Sequence, residues 1–251
     1  TQEVRVSQAD WDQSATVVTS AQLPRWSRSP LMSTLRFLIQ HTLILPLYNH
    51  FIDLTVTGRD TLQDIEPPVI FAANHVSHLD TVAILAALPL SWRFHLAPAM
   101  LQEYFSAYLA PSKSSRKRRI NAALQYYLAC GLFNGYPLPQ RMGGIRRALK
   151  YSGELVEHGY CPLIFPEGVR SPDGSLQSFK PGVGMMALCL KVPVVPLYIE
   201  GHFKVFSAHH RWPRPGPVRV ALGTPVDLTP EEDYETATAK IEAGVRKLAH
   251  G

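Results

Sequence analysis

The sequence predicts an α/β fold, with a mostly parallel central sheet flanked by helices and preceded by an N-terminal amphipathic helical segment. Continuous apolar runs at 67–73 and 162–165 have the length of strands buried on both faces of a sheet. Each run is followed by a polar turn and then by a helical pattern. Strand, turn and helix in this order form the unit from which parallel sheets are built.

The remaining elements follow from the same periodicities. Further strands are expected at 54–58, 93–96, 192–199 and 218–222. Helices are expected at 80–88, 100–109, 182–191 and 234–250. The last helix follows Pro230 and three acidic residues, which favour the positive end of a helix.

Composition limits the class of protein. With 251 residues, 46% of them hydrophobic and 18% charged, the chain is globular and long enough for one substantial domain. Its net charge of +5 favours anionic partners, but no nucleic-acid-binding motif accompanies it, so no nucleic acid is expected. Three cysteines without CxxC spacing indicate neither a disulfide framework nor a zinc site, and favour a reducing compartment. Apolar surroundings predict that Cys161 and Cys189 are buried.

The chain is expected to have three parts: a polar linker or tail at 1–30, an amphipathic helical segment at 31–52 and an α/β domain at 53–251. Because the first methionine is Met32, we expect a processed chain or a piece of a longer polypeptide. Polar residues interrupt the apolar segment, whereas a spanning helix needs about 20 predominantly apolar residues. A membrane-facing helix lying in the interface fits better, and packing against the domain's own core is the alternative.

The first candidate site lies in residues 74–80, directly after a buried strand. Such turns place side chains at the carboxyl edge of the sheet, where α/β folds bind ligands. If His75 stays in the turn and Asp80 opens the helix, the aspartate can accept from one ring nitrogen and leave the other as a base. Two alternatives stay open: Ser77 and Asp80 also match a helix capping box, and His78 competes with His75 as the base.

The second candidate site follows the strand at 162–165. Gly168 permits backbone conformations closed to other residues, and Arg170 can grip a phosphate with two parallel hydrogen bonds. Lys180 adds a second cation just before a helix, whose N-terminus itself favours anions. The alternative is an ordinary reverse turn with a solvated arginine.

Taken together, these motifs resemble the glycerophospholipid acyltransferase family, whose best-known members are 1-acylglycerol-3-phosphate acyltransferases. Residues 75–80 are similar to its HxxxxD motif, and residues 165–171 to its FPEGTRS motif with Val169 in place of threonine. Residues 179–182 and 192–196 match the blocks that follow, in the same order. Four ordered motifs make the resemblance specific.

The resemblance implies an O-acyltransferase that moves a fatty acyl group from acyl-CoA or acyl carrier protein to a hydroxyl, such as that of lysophosphatidic acid. It implies His75 as the base and Asp80 as its orienting partner. The acceptor site would comprise Glu167, Gly168, Arg170 and Lys180. A thioester is already activated, so no metal or cofactor is expected.

One block departs from the family pattern. Gln140 stands where a phosphate-binding arginine is usual, and Arg141 is displaced by a residue, which weakens the case for a phosphorylated acceptor. Thioester hydrolysis on the same base, with water as acceptor, is therefore an alternative. A non-catalytic lipid- or carrier-binding module is another. The sequence after Arg170 also resembles acyltransferase domains fused to acyl-activating enzymes, which suggests such a fusion here.

A basic run precedes the apolar segment 124–133. It consists of Lys113, Arg116, Lys117, Arg118 and Arg119. Such a cluster beside aromatic residues suits an anionic membrane surface, and it could also attract an acidic acyl carrier protein or the phosphates of coenzyme A. A solvated loop is the alternative. With the helical segment 31–52, the run predicts a cytoplasmic protein attached peripherally to the membrane.

Overall fold

The computed structural model describes residues 24–101, 105, 108, 115–138, 144–206 and 213–250. Within them, seven strands form one sheet: β1 Ile52–Thr57, β2 Ile70–Ala73, β3 Leu96–Leu101, β4 Tyr136–Leu138, β5 Cys161–Ile164, β6 Val194–Glu200 and β7 Gly216–Leu222. Their spatial order is β1-β7-β6-β2-β5-β3-β4. Every neighbouring pair is parallel except β6 and β7, which confirms the predicted α/β class.

Helices flank this sheet. They are α1 Pro30–Ile39, α2 Leu45–Phe51, α3 Asp80–Ala87, α4 Leu90–Arg93, α5 Arg116–Phe133, α6 Ile145–Glu157, α7 Gly182–Leu190, α8 His202–Phe206 and α9 Tyr234–Ala249. A π-helical stretch, Gln40–Ile44, joins α1 to α2.

Strands β2 and β5 lie inside the sheet and are buried on both faces, as their apolar sequences require. On β2, Phe71 and Ala73 face one hydrophobic cluster, which includes most of α3. Ile70 and Ala72 face the other cluster, built with α7 and α9. Alternate residues of a strand point to opposite faces, so an uninterrupted apolar run is what this position demands. The carboxyl ends of β2 and β5 are thereby held in a rigid layer.

Three local predictions were wrong. The strand expected at 93–96 begins later, because Arg93 closes α4, and the helix expected at 100–109 cannot begin at Met100 and Leu101, which pair with β4. Most of the rest of that helix lies outside the described residues. Cys189 is exposed, because α7 turns only one side toward the sheet.

The N-terminal helical segment is tied to the end of α5. Arg36 donates through Nη1 to the carbonyl of Gly131 at 3.3 Å, and Gln40 donates through Nε2 to the carbonyl of Leu132 at 2.6 Å. Carbonyls in the last turn of a helix lack intrahelical partners, so these bonds satisfy them. The segment therefore packs on the domain while leaving leucines of α1 exposed. Residues 1–23 lie outside the described part, and the division at residues 30 and 52 stays a prediction.

Candidate active site

The two predicted turns lie side by side at the carboxyl edge of the sheet. Their strands are neighbours, with Phe71 of β2 paired to Leu163 of β5. The backbone of His75 joins the turns, because its carbonyl accepts from the Ser171 amide at 2.8 Å and its amide donates to Glu167 Oε1 at 3.2 Å. The sheet and these cross-links bring the two motifs into one site.

A buried carboxylate orients His75. Asp80 Oδ2 accepts from His75 Nδ1 at 2.8 Å and from the amides of Val76 and Ser77 at 2.7 and 2.8 Å. Burial by itself would raise the pKa of Asp80, but hydrogen bonds from His202 and His75 outweigh it and lower that pKa, which keeps the carboxylate ionised.

The other ring nitrogen of His75, Nε2, has no hydrogen-bond partner among the described residues. The side chain is 24% exposed and stacks on the Phe165 ring, with centroids 4.2 Å apart. A histidine with one nitrogen fixed by a carboxylate and the other unoccupied has the arrangement required of a general base.

The capping alternative describes part of the same geometry. Asp80 accepts from the Ser77 amide, and Ser77 Oγ accepts from the Leu79 amide at 3.2 Å, so both side chains order the turn before α3. The N-cap of α3 is Leu79 rather than Ser77, and it makes no side-chain cap bond. One carboxylate therefore serves the turn and the histidine together. His78 is exposed at the surface, where partial desolvation of its ring, and then the charge of Arg170, lower its pKa. Because its Nε2 meets the Arg170 guanidinium and no described carboxylate orients it, the geometry favours His75 as the base.

The sequence did not reveal a third participant, His202. Its Nδ1 donates to Asp80 Oδ1 at 2.7 Å, and its Nε2 meets the hydroxyl of Tyr48 at 2.8 Å. The ring is completely buried. One signal was available: His202 follows the predicted strand at 192–199, so it stands at a third strand-to-helix turn on the same sheet edge. Nothing local pointed to Tyr48.

Asn74 fixes the end of β2 before the turn that holds His75. Its Nδ2 donates to the carbonyl of Ile199 at 2.9 Å, and its Oδ1 accepts from the amide of the same residue at 2.7 Å. The side chain thus continues the pairing of β2 with β6 where the backbone of β2 turns away. This contact holds the start of the His75 turn against the sheet.

The second turn combines a buried acid with two cations, the half-buried Arg170 and the exposed Lys180. Gly168 has a φ of +78°, and a Cβ there would collide with the amine of Lys180. The Lys180 amide donates to the carbonyl of Pro166 at 3.0 Å, which closes the turn. Glu167 is buried, and burial raises its pKa to about 7. Its Oε2 has no hydrogen-bond partner among the described groups. Arg170 and Lys180 reach the surface.

The remaining predicted site residues are not brought to this edge by any contact in the described structure. Arg116 to Arg119 form the exposed first turn of α5 rather than a loop. Lys113, Gln140 and Arg141 lie outside the described residues, so the altered block stays untested. Within the described part, no group of three or more His, Cys, Asp or Glu side chains could hold a metal ion.

Comparison with known sequences points to one family. The family model described as Acyltransferase matches residues 53–200. A chloroplastic 1-acyl-sn-glycerol-3-phosphate acyltransferase of Brassica napus is 28% identical over 179 residues, covering 70% of this chain and 46% of the relative. The mouse 1-acyl-sn-glycerol-3-phosphate acyltransferase alpha is 26% identical over 207 residues, covering 80% and 64%. The chain spans about half the length of the plant relatives it matches.

The fold is also shared with a solved structure. The 1-acyl-sn-glycerophosphate acyltransferase PlsC of Thermotoga maritima superposes with a TM-score of 0.57 at 22% identity, covering 90% of this chain and 98% of that one. At this identity the likeness concerns the fold alone.

Proposed function

Because this chain belongs to the acyltransferase family, we propose that it transfers a fatty acyl group from an acyl thioester to the free hydroxyl of lysophosphatidic acid or a related lipid. The observation that carries the proposal is the contact of His75 with the buried Asp80, which leaves His75 Nε2 without a partner among the described residues. Relatives named 1-acyl-sn-glycerol-3-phosphate acyltransferases support the choice of acceptor.

The chemistry requires one base and no covalent acyl-enzyme. The acceptor oxygen attacks the thioester carbonyl carbon while its proton passes to His75 Nε2. Collapse of the tetrahedral intermediate breaks the carbon–sulfur bond, and the imidazolium returns the proton to the leaving thiolate. Asp80 stabilises the imidazolium between these steps, because its negative charge lies 2.8 Å from Nδ1. A positioned base of this kind contributes about 10²–10⁴-fold to the rate.

The two cations of the second turn suit an anionic acceptor. Arg170 offers a planar fork that matches phosphate oxygens, and Lys180 offers a compact charge from the same turn. Because Gly168 has no side chain, the amine of Lys180 can lie against the backbone of the turn, where a Cβ would otherwise collide with it. We assign the acceptor's phosphate to these two residues. Glu167 is buried, so we assign it to supporting the backbone of His75 rather than to direct contact.

The donor and the membrane are proposed to approach from the side of α5. Its first turn carries Arg116 to Arg119, whose charges oppose the helix dipole, and none of them forms an ion pair within the described chain. Since cations at a helix N-terminus lower the stability of the helix, binding of an anionic partner explains their presence better than a merely solvated basic run does. Acidic lipid, at about 1 kcal/mol per cation, fits best beside apolar groups. Acyl carrier protein and coenzyme A remain the other candidates.

The apolar groups beside these cations form an exposed face. Its members are Leu31, Leu35 and Leu38 of α1 and Ile120, Leu124 and Leu128 of α5. Residues three or four apart lie on one side of a helix. Trp26, in the short 3-10 helix before α1, packs its ring on that of Tyr127 of α5, with centroids 5.4 Å apart. No helix in the described residues is long and apolar enough to cross a membrane. We propose that this face contacts lipid as an interfacial surface.

Product identification tests the proposed activity. The protein is incubated with radiolabelled oleoyl-CoA, with and without lysophosphatidic acid, monoacylglycerol or glycerol 3-phosphate, and the lipids are separated. Labelled phosphatidic acid is the expected product. Release of free oleate at the same rate with and without acceptors would indicate a hydrolase. Unchanged oleoyl-CoA in every mixture would indicate a binding module.

Liposome flotation tests the lipid surface. Binding to vesicles containing about 30% anionic lipid should fall in the double variant Arg116→Gln/Lys117→Gln and in Leu35→Ser. Lys150→Gln/Lys247→Gln removes the same charge from α6 and α9 and should bind like the wild type. Equal binding by all four proteins, or equal loss in both double variants, contradicts the assignment.

A further inference from the structure

A continuous chain of hydrogen bonds runs from the N-terminal segment to the proposed base. It links Tyr48, His202, Asp80 and His75 through contacts of 2.8, 2.7 and 2.8 Å. We propose that His202 and Tyr48 are positioning residues for acyl transfer, which hold the carboxylate of Asp80 in the orientation that aims His75. The inference rests on the proposed function and extends it to residues that touch no substrate.

The protonation states along the chain follow from its partners. An ionised carboxylate only accepts, so both histidines present Nδ1–H to Asp80. A neutral His202 ring then has no proton on Nε2 and accepts from the hydroxyl of Tyr48. Burial, chiefly, and then the charge of Asp80 raise the pKa of Tyr48, so the phenol keeps the proton that it donates. Under this assignment each polar side-chain atom of these four residues has a partner, except His75 Nε2, the proposed base.

The second histidine restricts how Asp80 can move. Oδ2 alone receives three hydrogen bonds, from His75 and two backbone amides, and Oδ1 receives the bond from His202. With both oxygens occupied, rotation of the carboxylate would leave a buried charge with unmade hydrogen bonds, which is costly. The position of His75 Nε2 is therefore set by groups that lie behind Asp80.

The fold places His202 there through a tight turn. Gly201, between β6 and α8, has a φ of +91°, and a Cβ at this position would collide with the carbonyl of Pro217 at the start of β7. Tyr48 comes from α2, 154 residues before His202 in the sequence. The orientation of the base thus depends on the docking of the N-terminal segment as well as on its own turn.

Three substitutions separate positioning from mere support of the fold. His202→Leu removes both hydrogen bonds. His202→Asn keeps a donor at the place of Nδ1, since the amide nitrogen stands at the same distance from the backbone. Tyr48→Phe removes only the hydroxyl. The matched control is Tyr136→Phe, because Tyr136 is also buried and its hydroxyl meets the hydroxyl of Ser152 at 3.1 Å, away from the site.

Kinetics with oleoyl-CoA and lysophosphatidic acid give the first readout. Orientation is a part of the effect of a general base, so His202→Leu should lower kcat about 10–100-fold with the acceptor KM within about twofold. His202→Asn should recover most of that loss, and Tyr48→Phe should lose about 3–10-fold. Tyr136→Phe should keep its kcat. Equal losses in His202→Leu and His202→Asn, or in Tyr48→Phe and Tyr136→Phe, would overturn the proposal, because stability would then explain them.

A spectroscopic readout works without turnover. In protein labelled with ¹⁵N-histidine, His75 and His202 should each show a hydrogen-bonded Nδ1–H, and Tyr48→Phe should shift the resonances of both rings, whereas Tyr136→Phe should shift neither. If oleoyl-CoA is not consumed but these shifts appear, the proposed function is wrong, whereas the series of hydrogen bonds from Tyr48 to His75 is confirmed. If acyl transfer occurs and Tyr48→Phe leaves both rings and kcat unchanged, the positioning role is wrong. If His202→Leu does not fold, His202→Asn and Tyr48→Phe still test the positioning role.

Discussion

The turns after β2 and β5 end neighbouring strands of one sheet, yet they present their functional groups in opposite ways. In the first, Asp80 is completely buried and both of its oxygens are occupied, so His75 has little freedom. In the second, Arg170 and Lys180 reach the surface around a glycine. Under the proposed function, the difference implies a division of labour: buried groups fix the geometry of the proposed base, and surface groups bind the acceptor. Substitutions in the two turns should therefore affect different kinetic constants.

The largest effect is expected for Asp80→Asn. Loss of the charge removes the stabilisation of the imidazolium and allows the wrong tautomer of His75, so kcat should fall by about 10³–10⁴-fold with little change in KM. Asp173→Asn is the control in the other turn, where the carboxylate accepts from Ser171 and Ser175 at the surface. Its kcat should stay within about threefold of the wild type. Similar losses in both variants would remove the distinction between the turns.

Arg170→Ala should change binding instead. The acceptor KM should rise about 10–100-fold for lysophosphatidic acid, with kcat within a few-fold, because a charge-assisted contact to phosphate is lost. Monoacylglycerol, which carries no phosphate, serves as the control substrate, and its KM should not move. A fall in kcat at unchanged KM would place Arg170 with the chemistry rather than with the acceptor.

Glu167→Gln should alter the pH dependence of stability. The folded-state pKa of Glu167 is raised to about 7, so between its ordinary value and 7 the folded state binds a proton that the unfolded state releases. The wild type therefore loses stability as pH rises through this range. Chemical unfolding at pH 5 and pH 8 should show the variant gaining on the wild type by on the order of 2 kcal/mol at the higher pH. A difference between the two proteins that does not vary with pH contradicts this account.

The smallest effect is expected for Gly168→Ala. Its positive φ and the collision with Lys180 should lower the free energy of unfolding by about 1–2 kcal/mol. Gly182→Ala is the matched control, because a Cβ there meets nothing within 4 Å and alanine suits the helix. Thermal unfolding should show a lower Tm only for the first variant.

The sequence predicted what is local. Apolar runs followed by polar turns placed His75, Asp80 and the Glu167 turn at the sheet edge, because strand burial and turn chemistry are encoded by adjacent residues. The roles of His202 and Tyr48 were not predicted, because they depend on contacts between distant parts of the sequence. His202 is 122 residues from Asp80 and 154 residues from Tyr48, and only the folded structure brings them together. Helix α5 was not predicted for another reason: four cations stand at its start, where a helix N-terminus usually favours acidic side chains. Pattern alone thus misses contacts between distant parts of the sequence and features placed against local preference.

The central claim is that His75 is the base, and comparing His75→Ala with His78→Ala tests it most directly. Both variants are assayed at saturating oleoyl-CoA and lysophosphatidic acid. His75→Ala should lower kcat at least about 100-fold, whereas His78→Ala should stay within about tenfold of the wild type. Turnover by His75→Ala equal to that of the wild type, or a larger loss in His78→Ala, would contradict the account.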